Sequence, residues 1–336
     1  MNNVSDTPRR AVMTGTGSYL PEKTLTNDDL SKMVDTSDEW IYPRTGIRVR
    51  HLAAKEESVS DMAAIAAKKA LEAAHVNPEE IDLLVLATIT ADSPLPATAC
   101  IVQTKVGLTN ATCFDISAAC SGFIYALDIA KQFILAGSKK KVLVVGAEKM
   151  SAITDWSDRT TCILFGDGAG AVVLEAKDDA DSTSGVLTSE TGTDGSLAPL
   201  LFIESGGSSM PNTPETLAAG KQYLKMDGHT IFRHAVRNMA NIAAKAIEKA
   251  GLTPDQIDWI VPHQANMRII QAVAKFLGAP MEKMVSTIEN TGNTTAASIP
   301  IALDSAIRDG RIKPGQTVLF VAFGAGLTWG ATVVRM

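Results

Sequence analysis

The feature that most restricts how this chain can fold is that it repeats itself. Moved by 176 residues, Ala67, Lys69, Ala70, Glu72 and Ala74 fall on Ala243, Lys245, Ala246, Glu248 and Ala250. Pro78, Ile81, Asp82 and Val85 fall on Pro254, Ile257, Asp258 and Val261. The offset then runs on without a gap, placing Ala126-Leu127-Asp128 on Ala302-Leu303-Asp304 and Val142-Leu143 on Val318-Leu319. Two Ala-rich helices can match by chance. A single register kept through a helix, a strand, a second helix and a second strand cannot, so the 336 residues read as a duplicated α/β unit with halves 1–184 and 185–336.

Within the unit, Ser58-Val59-Ser60-Asp61 resembles a capping box and opens a helix to about Ala74. Asn77-Pro78 turns the chain into Ile81–Ala87, an almost unbroken apolar run of the kind found in buried parallel strands. Alternating strands and helices predict mostly parallel sheets, and two such sheets with helices between them make a layered α/β protein. A short strand, Ala11–Thr14, precedes Gly15-Thr16-Gly17. This is not a dinucleotide loop: Leu20 stands where a third Gly belongs, and Pro21 follows at once. The Gly-, Ser- and Pro-rich stretch from Thr191 to Lys221 is expected to separate the halves as a mobile cover.

Charge narrows the partners. With 31 Lys and Arg against 37 Asp and Glu, the net charge is −6. That gives no general attraction for nucleic acid or an anionic membrane, and an acidic partner needs a local basic patch. Cys100, Cys113, Cys120 and Cys162 lack metal-type spacing and read as reduced thiols. No metal or cofactor is expected. Met1–Arg10 has no apolar core segment and no run reaches transmembrane length, so a cytoplasmic location is expected.

Three residues carry candidate chemistry. Cys120, in Asp115-Ile-Ser-Ala-Ala-Cys-Ser-Gly-Phe123, falls where a strand pattern gives way to a helix pattern. In a first helical turn, free N–H groups and the dipole push a thiol toward thiolate, and the small neighbours leave room for an acyl group. The competing reading is an inert buried cysteine. His263 ends the apolar strand Ile257–Val261, and Asn293 lies in Gly292-Asn293-Thr294, at the internal counterpart of the Cys120 segment. A structural histidine and a turn asparagine are the alternatives. Gly-rich turns at Phe165–Gly170 and Phe323–Gly330 read as strand–turn–strand and lack the Gly-Lys-Ser/Thr of a phosphate loop.

Taken together, Asp38-Glu-Trp-Ile41, Arg44-Thr-Gly-Ile47, Ala118–Phe123, Phe165–Gly170, Pro262–Asn266 and Gly292–Thr294 resemble β-ketoacyl-acyl carrier protein synthase III over nearly the whole chain. Elongating ketoacyl synthases pair two His with the Cys, and degradative thiolases carry a second Cys. Chalcone-type synthases share Cys-His-Asn in different flanking sequence. The resemblance implies a thiolase-like fold of five layers, αβαβα, in a homodimer. It also implies a ping-pong reaction in which Cys120 takes an acyl group from acyl-CoA. Malonyl-acyl carrier protein (malonyl-ACP) then loses CO2 and attacks the thioester, with His263 and Asn293 stabilising the enolate. The amides of Cys120 and Ala325 would form the oxyanion hole, where many members carry Gly at the second position. Thr36, Trp40, Arg44 and Arg159 match CoA contacts, the last and Trp40 flanking the adenine. Leu95 matches a residue reaching across the dimer into the acyl pocket. Arg233, Arg268 and Lys275 match basic positions around the family's tunnel mouth; Arg237, four residues from Arg233 on one helix face, and Gln264 are further candidate carrier contacts. A specialised-metabolism homologue using a non-standard acyl group and a non-catalytic carrier-binding subunit are the alternatives; the intact Cys, His and Asn argue against the latter.

Overall fold

The computed structural model describes residues 9–178 and 183–336. The polar lead-in 1–8 and residues 179–182 lie outside the described residues. The first half contributes β1 (Arg10–Tyr19), β2 (Thr24–Thr26), α1 (Asn27–Ser31), α2 (Asp38–Thr45), β3 (Val49–His51) and α3 (Val59–Ala74). It continues through β4 (Leu83–Ala87), α4 (Thr98–Val106), β5 (Thr112–Ile116), α5 (Gly122–Leu135), β6 (Lys141–Glu148) and β7 (Gly168–Lys177). The second half begins with β8 (Gly185–Thr193), β9 (Leu201–Ile203), α6 (Pro214–Ala218), β10 (Leu224–Met226), α7 (Gly228–Lys249) and β11 (Trp259–Pro262). It ends with α8 (Met267–Leu277), α9 (Ile288–Thr291), α10 (Ser298–Arg308), β12 (Thr317–Gly324) and β13 (Thr328–Arg335).

One sheet runs β1-β7-β6-β4-β5 and the other β8-β13-β12-β11. The duplication is visible strand by strand. The fifth strand of the second sheet survives only as a bridge between Ile260 and Met284. Among the described strands, isolated bridges aside, parallel pairing is confined to β4 with its neighbours and to β11 with β12; β1, β7, β8 and β13 pair antiparallel. The expectation of mostly parallel sheets fails there because a tight hairpin, Gly324–Thr328, turns β12 straight back into β13. In the first half an excursion, Lys149–Asp167, replaces that hairpin, so only the second Gly-rich segment is strand–turn–strand.

Helices α5 and α10 fill the space between the sheets, α3 and α4 cover one outer face, and α7 and α8 the other. The layers are αβαβα. Phe123 of α5 meets Phe320 of β12 edge to face at 6.4 Å, both fully buried. Gly15 and Gly17 lie inside β1 and make no turn. A Cβ on either would collide with backbone of α3, so the glycines are there to let helix and strand touch. The Thr191–Lys221 stretch does not separate the halves, since β8 already belongs to the second sheet. Part of it pairs as an antiparallel ribbon, β9 with β10.

Candidate active site

Cys120 sits in a 3₁₀ turn, Ala119–Ser121, immediately ahead of α5. The turn is entered through Ala119 at φ 45°, in the left-handed region. The same entry occurs once more, at Thr295 (φ 52°), which opens the turn Thr295–Ala297 ahead of α10. The duplicate of Cys120 is therefore Ala296. The two turns pack on each other through small residues: a Cβ on Gly122 would lie 3.4 Å from that of Ala296. Thr328 Oγ1 donates to Ala118 O (3.0 Å) and Ser121 Oγ to Thr328 O (3.1 Å), which ties the nucleophile turn to β13.

His263 follows β11 and is anchored by its N–H to Val321 O at 2.8 Å. Its Nδ1 is 2.7 Å from Ser298 Oγ, at the start of α10. Asn293 forms a bridge with Phe165 across the halves, and its Oδ1 accepts the Thr295 N–H at 2.9 Å. That bond turns the Asn293 NH2 group to the open side. Cys120, His263 and Asn293, all buried, line one mainly apolar cavity. Ile231, Phe232 and Ala235 of α7 and Ile269 of α8 continue its wall. A second, more open cleft lies on the other side of the Cys120 turn, against Ile89, Ala118, Ala119 and Ala325. Leu201 of β9 borders both cavities.

These geometries coincide with a family match. The family described as 3-oxoacyl-[acyl-carrier-protein (ACP)] synthase III matches residues 114–195, and its C-terminal part matches 247–336. A β-ketoacyl-[acyl-carrier-protein] synthase III of Neisseria meningitidis is 52% identical over 330 residues, covering 97% of this chain and 99% of its own. One of Erythrobacter litoralis is 51% identical over 326 residues, with coverage of 97% and 99%. The chain belongs to the 3-oxoacyl-[acyl-carrier-protein] synthase III family. A crystal structure of the synthase III of Aquifex aeolicus superposes with a TM-score of 0.89 at 49% identity, over 97% of this chain and 100% of that one.

Electrostatics of this synthase III depart from the sequence expectation at the nucleophile. Burial pushes the Cys120 thiol up, and the nearby Glu148 pushes it further; its own backbone N–H pulls only weakly the other way. The thiol rests protonated. Helix polarity alone suggested thiolate, but Cys120 precedes α5 instead of lying within its first turn, and its side chain is buried. Burial lowers His263 to about 3, so its imidazole is neutral. Glu148 escaped the sequence reading, although its signal matches that of His263: a polar residue ending an apolar strand. It is fully buried at the end of β6 and accepts from Thr88, Thr90 and the Ile89 N–H. Burial outweighs those donors and lifts it to about 7. Ser298 was also missed, and only its place opposite Gly122 in the repeat marks it.

The other expected positions sort clearly. The Trp40 ring has the Arg44 guanidinium 4.7 Å and the Arg159 guanidinium 5.1 Å from its centroid. An adenine entering between Trp40 and Arg159 has to part them. Thr36 Oγ1 nearby in sequence is buried without a partner. Asn266 caps α8 and donates to Arg44 O at 3.0 Å, joining this surface to the cavity mouth. Arg233 and Arg268 are exposed beside the lining residues Phe232 and Ile269; Arg237 and Lys275 are exposed further along α7 and α8. Leu95 is 85% exposed. Gln264 must be withdrawn as a carrier contact. It is fully buried, its amide donating to Pro262 O and Val285 O and accepting from Thr287 N and Ile288 N, which leaves nothing to offer a partner. Among the described residues, no group of three or more His, Cys, Asp or Glu is placed to hold a metal ion. No helix among them is long and apolar enough to cross a membrane.

Proposed function

We propose that this chain condenses an acyl-CoA primer with malonyl-ACP, giving 3-oxoacyl-ACP, CoA and CO2. The observation that carries the reading is the convergence of Cys120, His263 and Asn293, drawn from both halves, on one cavity. In the first step Cys120 Sγ bonds to the acyl carbonyl carbon, the carbon–sulfur bond to CoA breaks, and the thiol proton leaves with CoA. In the second, malonyl-ACP sheds CO2 and its enolate carbon attacks the acyl-enzyme carbonyl. Cys120 leaves as thiolate and regains a proton. His263 Nε2 and Asn293 Nδ2 stabilise the enolate oxygen, each worth on the order of 3 kcal/mol in the transition state. The Cys120 and Ala325 amides hold the thioester oxygen. These steps need no cofactor.

Trp40, Arg44, Arg159 and Thr36 hold the CoA nucleotide, and Arg233, Arg237, Arg268 and Lys275 draw in the acidic carrier. The halves 1–184 and 185–336 divide the labour, one bearing the nucleophile and the other the donors. A homodimer fits the free edge of β5 and the exposed Leu95, because a second copy pairing along that edge covers both. The four free cysteines suit the cytoplasm. Incubation with acetyl-CoA and malonyl-ACP, followed by mass spectrometry of carrier and of Cys120, tests the reaction. Cys120→Ser should take no acyl group, while His263→Ala and Asn293→Ala should self-acylate and fail to decarboxylate malonyl-ACP. Equal loss of both half-reactions in the latter pair would overturn the assignment.

A further inference from the structure

A histidine that must donate from one ring nitrogen needs its proton held there, and the surroundings of His263 do this. Its Nδ1 faces Ser298 Oγ at 2.7 Å, and the Gln264 N–H points at the same oxygen from 3.4 Å. A backbone N–H can only donate, so it takes a lone pair of Ser298. The Ser298 hydroxyl proton then has Nδ1 as its acceptor, with no other in reach among the described residues. Were Nδ1 to carry the proton instead, a hydroxyl proton at a site only 1% exposed would go unpaired. We propose that Ser298 is a positioning residue, keeping His263 in the tautomer with its proton on Nε2, the nitrogen left to the cavity.

The consequence is chemical. Asn293 is oriented in the same way, its Oδ1 taken by the Thr295 N–H so that NH2 faces inward. His263 and Asn293 thereby become two donors and no acceptor, which suits an oxygen gaining negative charge. The opposite tautomer would aim a lone pair at that oxygen and offer Cys120 a base. The lowered pKa of His263 keeps the ring neutral, so the choice of tautomer is what matters. This inference rests on the reading of His263 as the enolate donor.

The test uses full-length protein labelled with ¹⁵N-histidine. Proton–nitrogen correlation spectra report the His263 tautomer in the wild type and in Ser298→Ala, and the two half-reactions are timed separately. The wild type should show Nε2–H alone. Ser298→Ala should show a mixture and lose decarboxylation of malonyl-ACP on the order of tenfold, with self-acylation falling much less. An Nδ1–H signal in the wild type overturns the proposal whether or not the variant folds. So does a folded Ser298→Ala with unchanged tautomer and decarboxylation. If His263→Ala decarboxylates normally, the donor reading of His263 falls, while the spectra still decide what Ser298 does.

Discussion

A methyl group on the Cα of Gly324 would stand 2.7 Å from the amide nitrogen of Cys120 and 3.1 Å from that of Ser121. Both neighbours are backbone and neither can swing aside. Gly324→Ala should therefore displace the nucleophile turn. We expect a loss of stability of about 1–3 kcal/mol and a fall in self-acylation of roughly tenfold or more. A variant with wild-type melting and acylation would show that the turn is softer than its contacts indicate.

Stability should depend on pH through His263. Its folded pKa of about 3 lies below the ordinary imidazole value of 6.5. Between those values the unfolded chain binds the extra proton, so stability is full above about 6.5 and falls as the pH drops toward 3. The slope is about 1.4 kcal/mol per pH unit from this group. Urea midpoints of His263→Ala should fall less steeply than wild type from pH 6.5 to 4; parallel curves would refute the burial argument.

Glu148 should leave a mark on Cys120. Its carboxyl titrates at about 7, and the charge it gains pushes the thiol up. The rate at which iodoacetamide alkylates Cys120 should thus climb less than tenfold per unit between about pH 6 and 8. In Glu148→Gln the climb should steepen to tenfold. That variant should also melt lower, since a side-chain NH2 would face the donors Thr88, Thr90 and Ile89 N–H. Identical slopes would uncouple the two groups.

Primer choice should respond to Leu95. Leu is smaller and more flexible than the Phe some members of the family carry, so primers longer than acetyl, branched ones included, should be accepted. Leu95→Phe should narrow the range toward acetyl-CoA when a panel of acyl-CoAs is compared. An unchanged panel would remove Leu95 from the pocket.

Carrier docking should be electrostatic. On a chain of net charge −6, attraction for an acidic carrier has to be local. Arg233→Glu combined with Arg268→Glu should raise the KM for malonyl-ACP roughly tenfold or more and flatten its salt dependence. Self-acylation by acyl-CoA should change little. Normal carrier binding at low salt would place the docking face elsewhere.

Much of this was legible in the chain because the duplication keeps its offset where caps and apolar runs are strongest. Ser58 caps α3 with a capping box, and Pro78 and Pro254 both open 3₁₀ turns before the parallel strands β4 and β11. Cys120 and His263 stood out where strand patterns end, and Asn293 by its place at the internal counterpart of the Cys120 segment. What escaped depends on packing between distant segments. Gly15 and Gly17 look like the end of the strand Ala11–Thr14 until α3 lies on them. Gln264 looks available until four backbone groups close around it. Cys120 looks activated until the depth of the site is known.

The left-handed entries at Ala119 and Thr295 give this fold a matched pair of elbows. Both halves build the same strained doorway into a central helix, yet only one holds a reactive atom; the other holds Ala296, only 1% exposed. The second elbow bears no nucleophile, yet its strain, of order 1–3 kcal/mol, aims the Thr295 N–H at Asn293 Oδ1 and delivers Ser298 to His263. One elbow presents the thiol and its twin orients the donors that face it, so the same backbone device serves both sides of the reaction.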